Sequence, residues 1–178
     1  MPVYYKITGI FLSLIVLVAC SQCSDGKQEK KPPVPSTYSE TLLKANQEAV
    51  RIENEQIDDY IRRHNLKMQT TETGIRMMIL KQGIGQKAQK GRTVKLSYAV
   101  TLLSGDTVYT SAEEGPLIFE VGKGQVITGL EEAILLLRVG DRAKFIIPSH
   151  LAFGLIGDQD KILHKASLVY DMEFISMY

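Results

Sequence analysis

Thr93-Val94-Lys95-Leu96-Ser97-Tyr98-Ala99-Val100-Thr101-Leu102 decides the fold class, because its apolar residues recur at every second position. Val94, Leu96, Tyr98, Val100 and Leu102 fall on one face, and Lys95, Ser97, Ala99 and Thr101 on the other. Side chains alternate along a strand, so one buried and one wetter face predict a half-buried antiparallel strand. Further strands are expected over residues 75–80, 108–111, 117–121, 142–147 and 167–177, with Gly, Asp or Pro in most of the gaps. Between them, residues 127–138 show helical spacing through Leu130, Ile134 and Leu137, and Gly140 stops the pattern. One short helix against five or six antiparallel strands predicts an α+β domain over 74–178.

Upstream, the period changes to that of a helix. Thr37-Tyr38-Ser39-Glu40 has the S/T-x-x-E form of a capping box, and Leu42, Leu43, Val50, Ile57, Tyr60 and Ile61 follow at mostly helical intervals. The pattern predicts a helix over 39–64 within an N-terminal helical segment, 37–66. Its polar face is richly charged and its apolar stripe is thin. Such a helix either packs on the C-terminal domain or associates with a second copy of itself.

The first residues have a different character. Lys6 is followed by an apolar run over 7–19, broken only by Thr8, Gly9 and Ser13. This is the layout of a secretory signal, and the run is shorter than the roughly 18–20 apolar residues that a membrane-crossing helix requires. It ends in Leu17-Val18-Ala19-Cys20, which resembles a bacterial lipobox. On that reading 1–19 is removed, Cys20 carries the lipid that holds the protein on the membrane, and 20–36 is a flexible tether. The tether sequence SQCSDGKQEKKPPVPS has no apolar periodicity and three prolines. The alternative is an ordinary cleaved signal with Cys20 and Cys23 merely nearby. A C-x-x-C redox pair or half a zinc site is disfavoured, since no Cys or His follows at a ligand spacing.

Composition and motifs exclude several functions. The formal net charge is +1, and loss of Lys6 with the signal leaves 20 basic against 20 acidic residues, so no nucleic acid is expected as a partner. Gly83-Ile84-Gly85-Gln86-Lys87-Ala88 fits the dinucleotide pattern G-x-G-x-x-A. That pattern requires a following helix N-terminus, and here a strand follows, so a glycine-rich turn is expected instead. His64, His150 and His164 form no triad or metal set, and Ser111 and Ser149 have no G-x-S-x-G setting.

The C-terminal segment carries a family resemblance. Tyr109-Thr-Ser111, Phe119-Glu-Val-Gly-Lys-Gly-Gln-Val-Ile127-Thr-Gly-Leu-Glu-Glu, Ile147-Pro-Ser-His-Leu-Ala-Phe-Gly154 and Ala166-Ser-Leu-Val-Tyr-Asp171, in this order, resemble an FKBP-type peptidyl-prolyl isomerase domain. The strings GLEEAILLL and GDRAKFIIPSHLAFG, with the lipobox and helix leader, are similar to the gliding-motility-associated FKBP-like lipoproteins of Bacteroidetes. The resemblance implies a curved antiparallel sheet wrapped around one short helix, preceded here by the N-terminal helix. It implies a pocket of Tyr98, Tyr109, Ile127 and Phe153 as catalytic residues, with Leu117, Val126, Leu130, Ile162 and Tyr170 binding substrate. Taken singly, each is equally explained by core packing. The resemblance also assigns the Ile127 N–H as donor to the substrate carbonyl.

The implied partners are proline-containing segments of exported proteins in the bacterial envelope. Rotation about an X-Pro bond makes and cuts no bond, so no cofactor, metal or nucleophile is required. Three positions depart from the family pattern: Leu130 stands where a tryptophan floors the pocket, Phe153 where a loop tyrosine offers a hydroxyl, and Thr110 where an acid follows the aromatic. The stretch Ile162-Leu-His-Lys-Ala-Ser-Leu168 also departs from I-P-x-x-A-x-L. The expectation is a weakened isomerase, with a non-catalytic proline-binding module or chaperone as the alternative.

Overall fold

The computed structural model describes residues 36–178, so the signal segment, Cys20 and the tether up to residue 35 lie outside the described residues. A long helix, α1 (Ser36–Arg63), comes first. It begins before the expected residue 39, which puts Thr37 inside the helix rather than ahead of it as a cap. It closes where the sequence suggests: Leu66 N–H donates to Ile61 O and Asn65 N–H to Arg62 O, with Asn65 at φ 51°. Asn tolerates this left-handed position at a helix end better than most side chains.

The strands are β1 (Gln69–Thr70), β2 (Arg76–Lys81), β3 (Thr93–Leu102), β4 (Thr107–Thr110), β5 (Leu117–Glu120), β6 (Arg142–Ile147) and β7 (Leu168–Met177). All pairings are antiparallel, in the order β1-β2-β6-β7-β3-β4, with β5 also on β3. The quoted stretch is therefore the strand that β4, β5 and β7 share. Two short helices complete the fold, α2 (Ser111–Glu114) and α3 (Thr128–Ile134). No described helix is long and apolar enough to cross a membrane.

The core explains why β6 and β7 read as nearly continuous apolar runs. Ala143, Phe145, Ile147, Leu168, Tyr170, Met172 and Phe174 face the main core, together with Val94, Leu96 and Val100 of β3 and Leu130, Ala133 and Ile134 of α3. On the opposite face Ile146 and Val169 are Cα partners, and α1 covers them with Ile57 and Tyr60. Both strands are thus buried on two sides. Ile57 is completely buried, which contributes about 1.5–3 kcal/mol for a side chain of this type. Arg76, also buried, adds a polar tie by donating to Asn54 Oδ1 at 2.9 Å, Asp58 Oδ1 at 3.4 Å and Gly74 O at 2.6 Å. The second half of α1 therefore packs on the domain, whereas Leu42, Leu43, Val50 and Ile52 remain exposed.

Two expectations are corrected, and one strand, β1, was not expected. The helix expected over 127–138 ends at Ile134, because Leu136 N–H donates to Ala133 O and Leu137 N–H to Ile134 O, the tighter i to i+3 pattern. The apolar spacing continues only because Leu137 stays buried in the turn. Ser111 opens α2 instead of ending a strand, since the Thr110 hydroxyl caps the Glu113 N–H at 3.3 Å. The two-residue β1 is too short to leave an alternation signal. No helix follows Gly83-Ile-Gly85: the segment turns between β2 and β3, and the Asp141 carboxylate accepts from Gly83 N–H and Arg138 N–H, each at 2.6 Å.

Candidate active site

A cavity of about 450 Å³ opens between the sheet and α3. Its sheet wall follows from register. Val100 of β3 is the Cα partner of Tyr109 on β4 and of Tyr170 on β7, so these three side chains form one row across the sheet. Tyr98 lies two residues before Val100 on the same face, and Leu117 comes from β5. Gln125, Val126 and Ile127 line the cavity ahead of α3, and Leu130 reaches it from within α3. Phe153 closes it from the connection between β6 and β7, and Glu114 from the end of α2.

Eight of the nine expected side chains thus meet in one place: Tyr98, Tyr109, Leu117, Val126, Ile127, Leu130, Phe153 and Tyr170. Ile162 does not line the cavity. It is 3% exposed in the main core, and its N–H donates to Asp158 Oδ1 at 2.7 Å. The turn that this carboxylate organises directs Ile162 inward rather than into the opening.

The phenols are held in three ways. Burial, and then repulsion from the phenolate that Tyr98 would become, push the Tyr170 hydroxyl well above the ordinary tyrosine range. Burial followed by the Glu114 carboxylate beside it pushes the Tyr98 hydroxyl upward. Tyr109 is raised chiefly by its hydrogen bond to Asp158, then by burial and by the charges of Asp158, Asp160 and Glu114. All three therefore remain protonated donors at neutral pH. Tyr109 donates to Asp158, with Asp160 Oδ2 at 3.5 Å, and the Lys161 ammonium lies 4.7 Å from its ring centre. Asp158 Oδ1 also accepts from Asp160 N–H at 2.9 Å, so one carboxylate ties the 158–162 turn to β4.

At the mouth, Ile127 is extended at φ −58° and ψ 145°, and its carbonyl accepts from Leu130 and Glu131 N–H as α3 begins. Among the described residues nothing accepts a hydrogen bond from the Ile127 N–H. A wall mainly of aromatic and aliphatic groups, with the Ile127 N–H available as a donor, suits an apolar ring attached to a carbonyl.

The family profile for FKBP-type peptidyl-prolyl cis-trans isomerase matches residues 85–175, a span that contains every lining residue. The chain belongs to the FKBP-type isomerase family. It is 39% identical over 92 residues to FK506-binding protein 2 of Dictyostelium discoideum, covering 51% of this chain and 69% of that protein. It is 33% identical over 140 residues to the FKBP-type isomerase FkpA of Aeromonas hydrophila, covering 76% of this chain and 51% of that one. This FKBP-type chain thus spans about half the length of the Aeromonas relative. The crystal structure of AtFKBP13 superimposes with a TM-score of 0.61 at 28% identity, over 63% of this chain and 99% of that one. FkpA from Escherichia coli shares the fold, with a TM-score of 0.63 at 23% identity over 98% of this chain and 74% of that one.

Sequence reasoning missed Val100, Glu114 and Gln125 among the residues of this FKBP-type pocket. Glu114 matters most. The acid missing at Thr110 has a counterpart four residues later, because α2 turns the chain and sets Glu114 against Tyr98. The signal was present as Thr110-Ser-Ala-Glu113, a capping-box pattern inside a segment that otherwise reads as a strand.

Proposed function

We propose that the chain isomerises X-Pro bonds in exported or envelope proteins, from a position on the membrane held by lipid on Cys20. The observation that carries this reading is the aromatic cavity with the free Ile127 N–H at its mouth. An X-Pro bond turns over in tens to hundreds of seconds because rotation breaks amide resonance, a barrier of about 18–20 kcal/mol. Val126 and Ile127 pack on the pyrrolidine ring while the Ile127 N–H donates to the substrate carbonyl. The lining strips water from the amide, whose planar, charge-separated form water favours, so the twisted form is bound better than either planar one. Similarity of the GLEEAILLL and GDRAKFIIPSHLAFG strings to gliding-motility lipoproteins supports clients in that machinery.

The active site is reduced relative to the family pattern at Leu130 and Phe153. Proline-limited refolding, assayed without a coupled protease, is expected to accelerate with the purified protein. Suppressed aggregation without acceleration would support the binding-module alternative. Phe153→Tyr adds a hydroxyl at the cavity edge, and one recovered hydrogen bond of about 0.5–1.5 kcal/mol corresponds to a several-fold gain in turnover, up to about tenfold. A turnover unchanged or lowered by this variant would show that Phe153 does not face the substrate carbonyl.

The anchor is tested separately. Wild type is expected to incorporate labelled fatty acid and to sediment with membranes. Cys20→Ala should abolish the label and leave the protein unprocessed or released. An unlabelled, released wild type would end the lipid-anchor reading and leave the isomerase reading untouched.

A further inference from the structure

We propose that Glu53 on α1 is a positioning residue for the isomerase site, acting through the connection that carries Phe153; this rests on the reading of the cavity as the isomerase site. β6 ends at Ile147 and β7 starts at Leu168, and the chain between them supplies Phe153 to the cavity wall. Both stems of this connection end on one carboxylate. At the outgoing stem, Ser149 N–H donates to Glu53 Oε1 at 2.6 Å and the Ser149 hydroxyl to Oε2 at 3.1 Å. At the returning stem, the Ser167 hydroxyl donates to Oε1 at 2.5 Å. Both serines are buried, at 8% and 5% exposure, beside a groove that Glu53 and Ser149 line.

The hold passes directly to Phe153. The Ser149 carbonyl accepts from Ala152 N–H at 3.0 Å and from Gly154 N–H at 2.9 Å, the residues on either side of Phe153. Gly154 O in turn accepts from Lys165 N–H at 2.7 Å, which joins the two limbs near their base. Hydrogen bonds to a carboxylate are roughly twice as strong as those between neutral groups. Closing both stems on one such acceptor restricts a long connection that the sheet otherwise holds at its two ends and, through Asp158 and Tyr109, at the 158–162 turn. A displacement of about 1 Å in a substrate-positioning group can cost about a hundredfold in rate. The carboxylate comes from outside the region matched to the family, residues 85–175, so α1 completes a pocket that the matched region leaves partly unsupported.

Fastening α1 to the domain is a different role, and it is separable. Ile57, Tyr60 and the Arg76 hydrogen bonds hold the helix without touching the connection. Glu53→Ala, Glu53→Gln and Arg76→Met in the full chain are compared by thermal melting, by kcat/KM and KM on a proline tetrapeptide, and by amide hydrogen exchange. Glu53→Gln keeps an acceptor for Ser149 N–H and Ser167 and offers an N–H to the Ser149 hydroxyl. The expected pattern is about a tenfold loss of kcat/KM in Glu53→Ala with KM raised and faster exchange at Ala152 and Gly154. Glu53→Gln should remain within about twofold of wild type on each readout. Arg76→Met should melt lower yet keep wild-type kcat/KM and slow exchange at those amides. A Glu53→Ala variant that melts lower but keeps both kcat/KM and slow exchange overturns the proposal. Absence of isomerase activity in wild type would overturn the function reading alone; Glu53 is then decided by exchange, where unchanged amides overturn its role.

Discussion

Valine in place of Gly129 is expected to cost about 3 kcal/mol or more of stability and most of the isomerase activity. Gly129 is the second residue of α3 and is buried against β6. A Cβ there would collide with Ile147 Cγ2, and would also stand 3.1 Å from Leu151 O and 3.2 Å from Leu151 Cβ. Ile147 is fully buried and β-branched, so its χ1 has little freedom to yield. Leu151 O is backbone and yields less. Alanine separates two opposing effects. It gains up to about 1 kcal/mol in helix propensity over glycine, whereas overpacking a closed site costs about 1–3 kcal/mol. The clash is with stiff neighbours, so overpacking wins and Gly129→Ala should lose about 1–2 kcal/mol. For a domain of this size, each kcal/mol lowers the melting temperature by about 3–5 °C. Activity should fall further than stability, because relief of the clash moves α3 away from β6 and carries Val126 and Ile127 with it. Thermal melting and peptide turnover at 25 °C check both parts. An alanine variant as stable as wild type would mean that helix and strand are not in this close contact.

The frame of this domain was legible because alternation and burial coincide along β3, and because β6 and β7 are covered on both faces. Most pocket residues were legible for a different reason: the family motifs keep their order along the chain. What escaped depends on short elements that create no period. Glu114 reaches the cavity only because a single turn, α2, interrupts what reads as strand. Ile162 was placed by its position in a motif, but the motif cannot show that Asp158 holds the turn and directs the side chain into the core. Glu53 left a fainter trace. It precedes Ile57 by four residues, and Tyr60 follows three later, so a charged residue interrupts the apolar stripe of α1. A carboxylate on a buried helical face signals a buried donor somewhere, but only the fold identifies Ser149 and Ser167, far away in sequence, as those donors.

Tyr109→Ala should weaken binding of a proline tetrapeptide by about ten- to a hundredfold, and Tyr109→Phe by much less. The ring is one of three side chains in the row that β3, β4 and β7 present to the cavity, beside Val100 and Tyr170. Its removal takes away contact worth about 1.5–3 kcal/mol if the ring is covered by bound ligand, and each 1.4 kcal/mol is tenfold in affinity. Phenylalanine keeps that contact and loses only the hydrogen bond to Asp158, about 0.5–1.5 kcal/mol before solvent weakens it at the rim. The remaining cost appears as mobility in the 158–162 turn rather than as lost ring contact. Acid separates the two contributions. Burial alone would raise the Asp158 carboxyl, but the Tyr109 hydroxyl and the N–H groups of Asp160 and Ile162 outweigh it and hold the carboxyl below its ordinary range. A group whose folded value lies below its unfolded value, about 3.9 for Asp, stabilises fully above that value and loses its effect as pH falls through the folded one. The stability gap between wild type and Tyr109→Phe should therefore be constant near neutrality and close only in strong acid. The affinity gap between the Phe and Ala variants should persist through the same titration, because it belongs to the ring. Calorimetric titration with the peptide and urea unfolding across pH measure the two gaps. An alanine variant that binds as wild type, with its fold intact by circular dichroism, would remove this cavity as the proline site.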